Sequence, residues 1–305
     1  MSDNLSFQDQ INRNKFKSFL LLAGILIVLI LLGYLIGLAL GPDYFFIIMI
    51  ISIIFSVGYI WFGYYNSHKL ALASVKAKEA THSAYPMYNN VVEALCLAAG
   101  LPKPKLYVMN DPHINAFASG RDPKNAIICV TTGCLEKLDK QELEGVMAHE
   151  LSHIANYDIR FMTLTAVLVG MIAIISEIFL RSLFWRSFSG SNDSDNKGQA
   201  IFIILGIILA ILAPIVTAMV QLAISRKREY TADASAVKFI RSPTGLKSAL
   251  KKIQADNPPR NSEEKHHYNK AVAPLFISDP FKRKISGLFA THPPLEKRIE
   301  ILDRM

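Results

Sequence analysis

From Phe19 to Leu40 the chain has no charged or strongly polar side chain, an absence that argues against a helix of a large soluble core. No small-residue cleavage site follows this block, which is also too long for the apolar region of a cleaved signal, so it is expected to stay in the mature protein. Cysteine is scarce. Cys96, Cys129 and Cys134 are an odd set, expected to be reduced and partly buried thiols on a cytoplasmic side. The net charge is +8, yet no basic run interleaves with aromatics in a binding module, so no nucleic-acid partner is expected. Basic flanks that anchor helices against anionic lipid explain the charge better. There is no internal repeat.

What the chain does have is apolar residues, 51% of its 305 positions, gathered into four blocks. These run from Phe19 to Leu40, from about Tyr44 to Tyr65, from near Phe161 to near Leu183, and from Ala200 to Ile224. Each is long enough to cross a bilayer, which takes roughly 20 apolar residues at helical rise. Only Gly41, Pro42 and Asp43 part the first two, predicting a tight hairpin, and Gly33, Gly37 and Gly41 permit close helix packing, although glycine is also common in spans. Lys and Arg set the orientation. Arg13, Lys15 and Lys17 precede the first span, Lys69, Lys76 and Lys78 follow the second, and Arg226, Lys227 and Arg228 follow the fourth, so all three flanks and both termini are predicted to be cytoplasmic.

This divides the chain into a tail and transmembrane hairpin (1–66), a first polar part (67–160), a second transmembrane hairpin (161–224) and a second polar part (225–305). Residues 67–99 read as helical with a break at Tyr85-Pro86, and three β-prone runs follow: Lys105 to Met109, Ile114 to Ala118, and Ala126 to Thr131. Asp139 with Glu142 predicts a capping box that opens a helix, one expected to run directly into the third span. Residues 184–199 read as a loop on the far side of the membrane. Arg226 to Ile240 has helical periodicity, and Pro293 to Met305 reads as a short helix.

The chemistry lies in His149-Glu150-Leu151-Ser152-His153. Four residues apart on a helix, His149 and His153 share a face and suit one zinc ion, while Glu150 suits a general base acting on a water whose pKa the metal lowers to about 7. A polar helix that merely carries two histidines is the plainer explanation of those five residues alone. A catalytic zinc needs a third protein ligand. Glu229, 76 residues beyond His153, is the best candidate, and Asp233 one turn later is placed to accept the second ring proton of a ligand histidine. A solvated helix with charges four apart is the alternative for that pair. The second hairpin would bring Glu229 back to the face from which His153 departs.

These motifs, with Ile154-Ala155-Asn156-Tyr157-Asp158, Asn115-Ala116-Phe117-Ala118 and Thr291-His292-Pro293-Pro294-Leu295-Glu296-Lys297-Arg298-Ile299, resemble the HtpX heat-shock protease family, relatives of the CAAX prenyl proteases. The resemblance spans nearly the whole chain. It implies a bacterial inner-membrane zinc endopeptidase, one zinc per chain, whose cytoplasmic site cuts damaged or misfolded membrane proteins. The fold it implies is α+β and mainly helical, with four transmembrane helices and a zincin-like catalytic domain split by the second membrane hairpin. Asn115, Ala116, Phe117 and Ala118 are similar to the family's active-site edge strand, which pairs with substrate backbone, but fit an ordinary strand equally. Asn156 and Asp158 are candidates for groups behind the metal ligands, or simply mark a helix-to-membrane junction. His292 is a candidate active-site residue or a helix N-terminal one. Two other readings stay open: an intramembrane metalloprotease, against which the charges flanking the motif speak, and a zinc-binding membrane scaffold without turnover, against which the intact Glu150 speaks.

Overall fold

A computed structural model describes residues 7–40, 42–164, 206, 226–256, 275–277 and 293–305. The third and fourth predicted spans, the 184–199 loop and His292 lie outside the described residues, apart from 161–164 and 206. Two long helices open the chain, α1 (Phe7–Leu40) and α2 (Pro42–Ser74). Among the described residues, Asn14–Leu31 and Pro42–Asn66 are long and apolar enough to cross a membrane, and their side chains are mostly uncovered by protein. The helices pack tightly at Gly33, where a Cβ would come within 2.3 Å of the Ser52 Cβ.

The second apolar helix does not end where the apolar residues do. It continues to Ser74, and the predicted helical stretch 67–99 is then interrupted by a short strand, β1 (Lys78–Glu79), before α3 (Pro86–Ala99). Next come β2 (Lys105–Met109), β3 (Ala116–Gly120) and β4 (Ala126–Thr131). β3 starts two residues later than the sequence suggests. At Asn115 the carbonyl still reaches the end of β4, accepting from Thr131 N at 3.0 Å, while its side chain turns back locally, Oδ1 accepting from Ala116 N at 3.0 Å. The sheet order is β1-β2-β4-β3, with β2 and β4 parallel and the outer pairs antiparallel.

Alternation along the strands buries both faces of this sheet. Ala116, Ala118, Ile128 and Val130 face the main core with α3, while Phe117, Ile127 and Cys129 face Ala71, Leu72 and Val75 at the end of α2. Two-sided burial accounts for the unbroken apolar run of β4. The three cysteines are free and buried, and burial pushes the Cys96 thiol up to about 11.

A short helix, α4 (Thr132–Lys137), leads to α5 (Lys140–Ala155), which carries the histidine motif. The predicted capping box is present: Glu142 N donates to Asp139 Oδ1 and Asp139 N to Glu142 Oε2, both at 2.9 Å. α5 packs against α3, β3, α6 (Arg226–Ile240) and α7 (Thr244–Asp256), and α8 (Leu295–Leu302) closes over α6 and α7. The approach of α5 to α7 requires glycine on both helices. A Cβ on Gly145 would meet Leu246 N at 2.4 Å, and one on Gly245 would meet Gln141 O at 2.2 Å.

Glu142 also ties the two helices together, accepting from Ser248 Oγ at 2.7 Å and Lys252 Nζ at 2.6 Å. Burial works against its charge, but Lys252, Ser248 and the Asp139 N–H outweigh it and hold the carboxyl below its usual 4.5. Glu142→Ala is expected to destabilise the protein by about 2–4 kcal/mol through loss of the cap and of charge-assisted hydrogen bonds. Because the folded-state pKa is depressed, this contribution is present above pH 4.5 and lost as pH falls through the lowered value. Thermal unfolding of parent and variant should therefore converge in acid. A gap that widened there would rule out the assignment.

α5 does not run on into the third span. It stops at Asn156, and Tyr157 takes φ 59, a left-handed conformation that costs a non-glycine residue about 1 kcal/mol or more, before helix resumes over 158–164.

Candidate active site

α5 is buried on every side, from Glu142 to Ala155 almost without interruption, so its polar side chains need partners inside the protein. Those of Glu142 come from α7, and those of the two histidines from α6, α8 and the segment just beyond the Tyr157 break. His149 and His153 stand edge to face, with Nε2 atoms 3.3 Å apart. Glu229 of α6 sits opposite, Oε2 at 3.5 Å from His149 Nε2 and Oε1 at 3.7 Å from His153 Nε2. A tetrahedral zinc with bonds of about 2.0–2.1 Å spaces its donors by about 3.3 Å. The two imidazole nitrogens already have that spacing and the carboxylate is near it, so the donor set suits this metal in chemistry and in geometry.

Each imidazole is held from behind by a carboxylate. His149 Nδ1 lies 2.9 Å from Asp233 Oδ1, and His153 Nδ1 lies 3.2 Å from Asp158 Oδ2. Both contacts fix the ring so that Nε2 faces inward. The sequence pointed to Asp233 in this position and offered Asp158 as a candidate, and the two histidines divide them. Asn156 does otherwise: its side chain donates to Ser152 Oγ at 3.5 Å, and its backbone carbonyl accepts from Asn14.

One participant was not singled out from sequence. Arg298 on α8 is fully buried and grips Asp233 with two parallel bonds, Nε to Oδ2 at 2.9 Å and Nη2 to Oδ1 at 2.7 Å. Its Nη1 lies 3.5 Å from Glu229 Oε2. A signal was available. Ile299 and Leu302 are buried on α8 with Leu295 half-buried beside them, and Arg298 lies three residues after Leu295, on that same face.

The charges reinforce one another. Burial opposes a charged Asp233, but Arg298 and His149 outweigh it and hold the carboxyl below its ordinary range. Burial and the Arg298 cation oppose a charged His149, Asp233 and Glu229 favour it, and the balance raises the ring to about 9. Glu150 is buried, which pushes its carboxyl up, while the two histidines and an N–H donated by Ala118 of β3 pull the other way without cancelling the shift. That contact joins the edge strand to the carboxylate. The outer edge of β3 is also held by the chain itself, since Ile277 N donates to Ala116 O at 2.9 Å and Phe276 bridges Phe117.

Comparison with known proteins gives the family. The model of peptidase family M48 matches residues 86–305. The chain belongs to peptidase family M48. A protease HtpX homolog of Caldanaerobacter subterraneus subsp. tengcongensis is 48% identical over 252 residues, covering 82% of each chain. One from Dictyoglomus thermophilum is 42% identical over 300 residues, covering 98% of this chain and 95% of its own. The crystal structure of S. mikatae Ste24p shares the fold, with a TM-score of 0.51 at 21% identity, covering 96% of this chain and 66% of that one. As an M48 member of the HtpX type, the protein is a membrane metalloprotease that acts on proteins. M48 membership implies a metal, generally zinc, and His149, His153 and Glu229 are the group among the described residues that suits one.

Proposed function

We propose that the protein is a zinc-dependent endopeptidase of the bacterial inner membrane that hydrolyses damaged or misfolded membrane proteins at a cytoplasmic site. The observation that carries this is the convergence of His149, His153 and Glu229 within 4.8 Å, with the buried Glu150 one residue along the same helix. His149, His153 and Glu229 would hold one zinc per chain. Bound there, zinc polarises a carbonyl and makes water more acidic. Glu150, its pKa raised by burial, takes a proton from the attacking water and passes it to the leaving amide nitrogen. Asp233 and Asp158 keep the two rings oriented, and the Ala118 N–H aims the Glu150 carboxylate. A substrate backbone that pairs with Asn115–Ala118 replaces Ile277 at Ala116.

Four transmembrane helices, with the catalytic domain split by the hairpin at 161–224, bring Glu229 back beside the histidines. The Lys and Arg flanks support cytoplasmic termini and a cytoplasmic site. This chain's apolar helices, which would hold the site beside a bilayer, support membrane proteins as the substrates.

Metal analysis of detergent-purified protein tests the site. About one zinc per chain is expected, falling to near none in Glu229→Ala together with loss of cleavage. Since the metal-free His149 holds its proton below about 9, zinc must displace it, and affinity should weaken as pH is lowered. Full zinc occupancy in Glu229→Ala would remove Glu229 from the ligand set.

A further inference from the structure

The helix that leads into the first apolar stretch reaches the catalytic centre. Asn14 is buried on α1, and its Nδ2 donates to Asp158 Oδ1 at 2.8 Å and to the Asn156 carbonyl at 2.9 Å. One turn on, Ser18 is buried and bonds the Asn14 carbonyl at 2.9 Å. Beside it, Lys15 Nζ lies 4.5 Å from the centre of the Tyr157 ring. Three consecutive residues, Asn156 to Asp158, are thus braced from a helix more than 140 positions earlier. They include the one left-handed residue of the break that swings Asp158 back towards His153.

We infer that Asn14 is a positioning residue of the catalytic centre, holding the Asp158 carboxylate in the plane that orients His153. The inference rests on the zinc reading of His149, His153 and Glu229. The argument is one of oxygen atoms and charge. Asp158 gives Oδ2 to His153 and Oδ1 to Asn14, with Arg228 Nε farther off at 3.6 Å. Without Asn14, Oδ1 keeps only the longer contact to Arg228, so the carboxylate turns about its Cβ–Cγ bond and the bond to His153 loses its direction. A neutral amide suits this place better than a lysine. It fixes the oxygen without setting a second cation beside Arg228, which would draw more of the negative charge away from the imidazole that needs it. The second bond, to the Asn156 carbonyl, ties the donor to the backbone whose turn presents Asp158, so a single side chain fixes both the carboxylate and its support.

The test is zinc affinity of the full-length protein in detergent, measured by competition with a chelator of known affinity. Parent, Asn14→Ala, Asn14→Asp and Ser18→Ala are compared, and Asn14→Ala is repeated in an Asp158→Asn background. Asn14→Ala is expected to bind zinc about 10-fold or more weakly, the lower end for groups behind metal ligands. Asn14→Asp keeps the shape but sets a second carboxylate against Asp158, so it should weaken zinc at least as much. Ser18→Ala should stay near the parent. In the Asp158→Asn background the effect of Asn14→Ala should shrink to within about threefold, because the two residues act through one contact. A cobalt-loaded Asn14→Asp protein should show a shifted d–d absorption, which a purely structural role would leave in place. Asn14 variants that bind zinc within twofold of the parent overturn the inference, as does an equal loss in both backgrounds. A parent that binds no zinc overturns the metal reading itself and the inference with it.

Discussion

Glu150→Gln should yield a protein that folds, inserts and holds its zinc, yet cleaves peptide bonds at least ~10²-fold more slowly than the parent. Glutamine keeps the size of the side chain and its reach, and can still accept from the Ala118 N–H, so packing around β3 is undisturbed. What it lacks is a place for the proton. Burial raises the Glu150 carboxyl against the pull of His149 and His153, which makes it a stronger base than an exposed glutamate. Turnover of casein and of a membrane-protein substrate by purified protein, with zinc content measured on the same sample, separates the outcomes. Near-parent cleavage would refute the general-base role. Loss of zinc along with activity would make Glu150 a structural residue.

The second large effect is expected at Arg298. Removing one member of a fully buried ion pair typically costs about 3–5 kcal/mol, and here it would leave the Asp233 carboxylate with His149 alone. Arg298→Ala should therefore lower the unfolding temperature, weaken zinc binding through the loss of a fixed partner behind His149, and reduce cleavage at least ~10²-fold. Arg298→Lys tests whether charge alone is enough. It keeps the cation but cannot form the two parallel bonds to Asp233, so an intermediate result is expected. A double replacement, Arg298→Met with Asp233→Asn, should recover much of the stability but not the zinc affinity. If Arg298→Ala melts within a degree or two of the parent and binds zinc as tightly, the buried pair has no such role.

The parts of this site that were legible in the sequence are those within one helical turn of each other. His149 and His153, and Glu229 and Asp233, are each four apart, and helical geometry alone puts each pair on one face. The capping box at Asp139 and the extent of α6 were readable for the same reason, since both depend on local spacing. Asp158 was offered only as a candidate because the decisive event is a backbone one. A continuous helix would carry it past His153, and the left-handed Tyr157 brings it back. Arg298 and Asn14 come from opposite ends of the chain, and no local period relates them to His149 or Asp158. The strand at Lys78–Glu79 went unseen because two exposed charged residues carry no alternation, and their pairing with β2 is a tertiary fact. The third and fourth spans and His292 lie outside the described residues.

The length of α2 has a mechanical consequence. Its apolar stretch ends at Asn66, but the helix runs to Ser74 and puts Ala71, Leu72 and Val75 against Phe117 and Cys129 on the sheet. The rod that carries the apolar stretch is thus the same rod on which the sheet rests, with about 7.5 Å of helix between the two at 1.5 Å per residue. It behaves as a ruler rather than a tether. Each residue inserted between Asn66 and Ala71 would lift the sheet by about 1.5 Å and turn it by about 100°. The register of this one helix therefore sets the height and heading of the sheet, and of the histidine helix packed on it, relative to the apolar stretch.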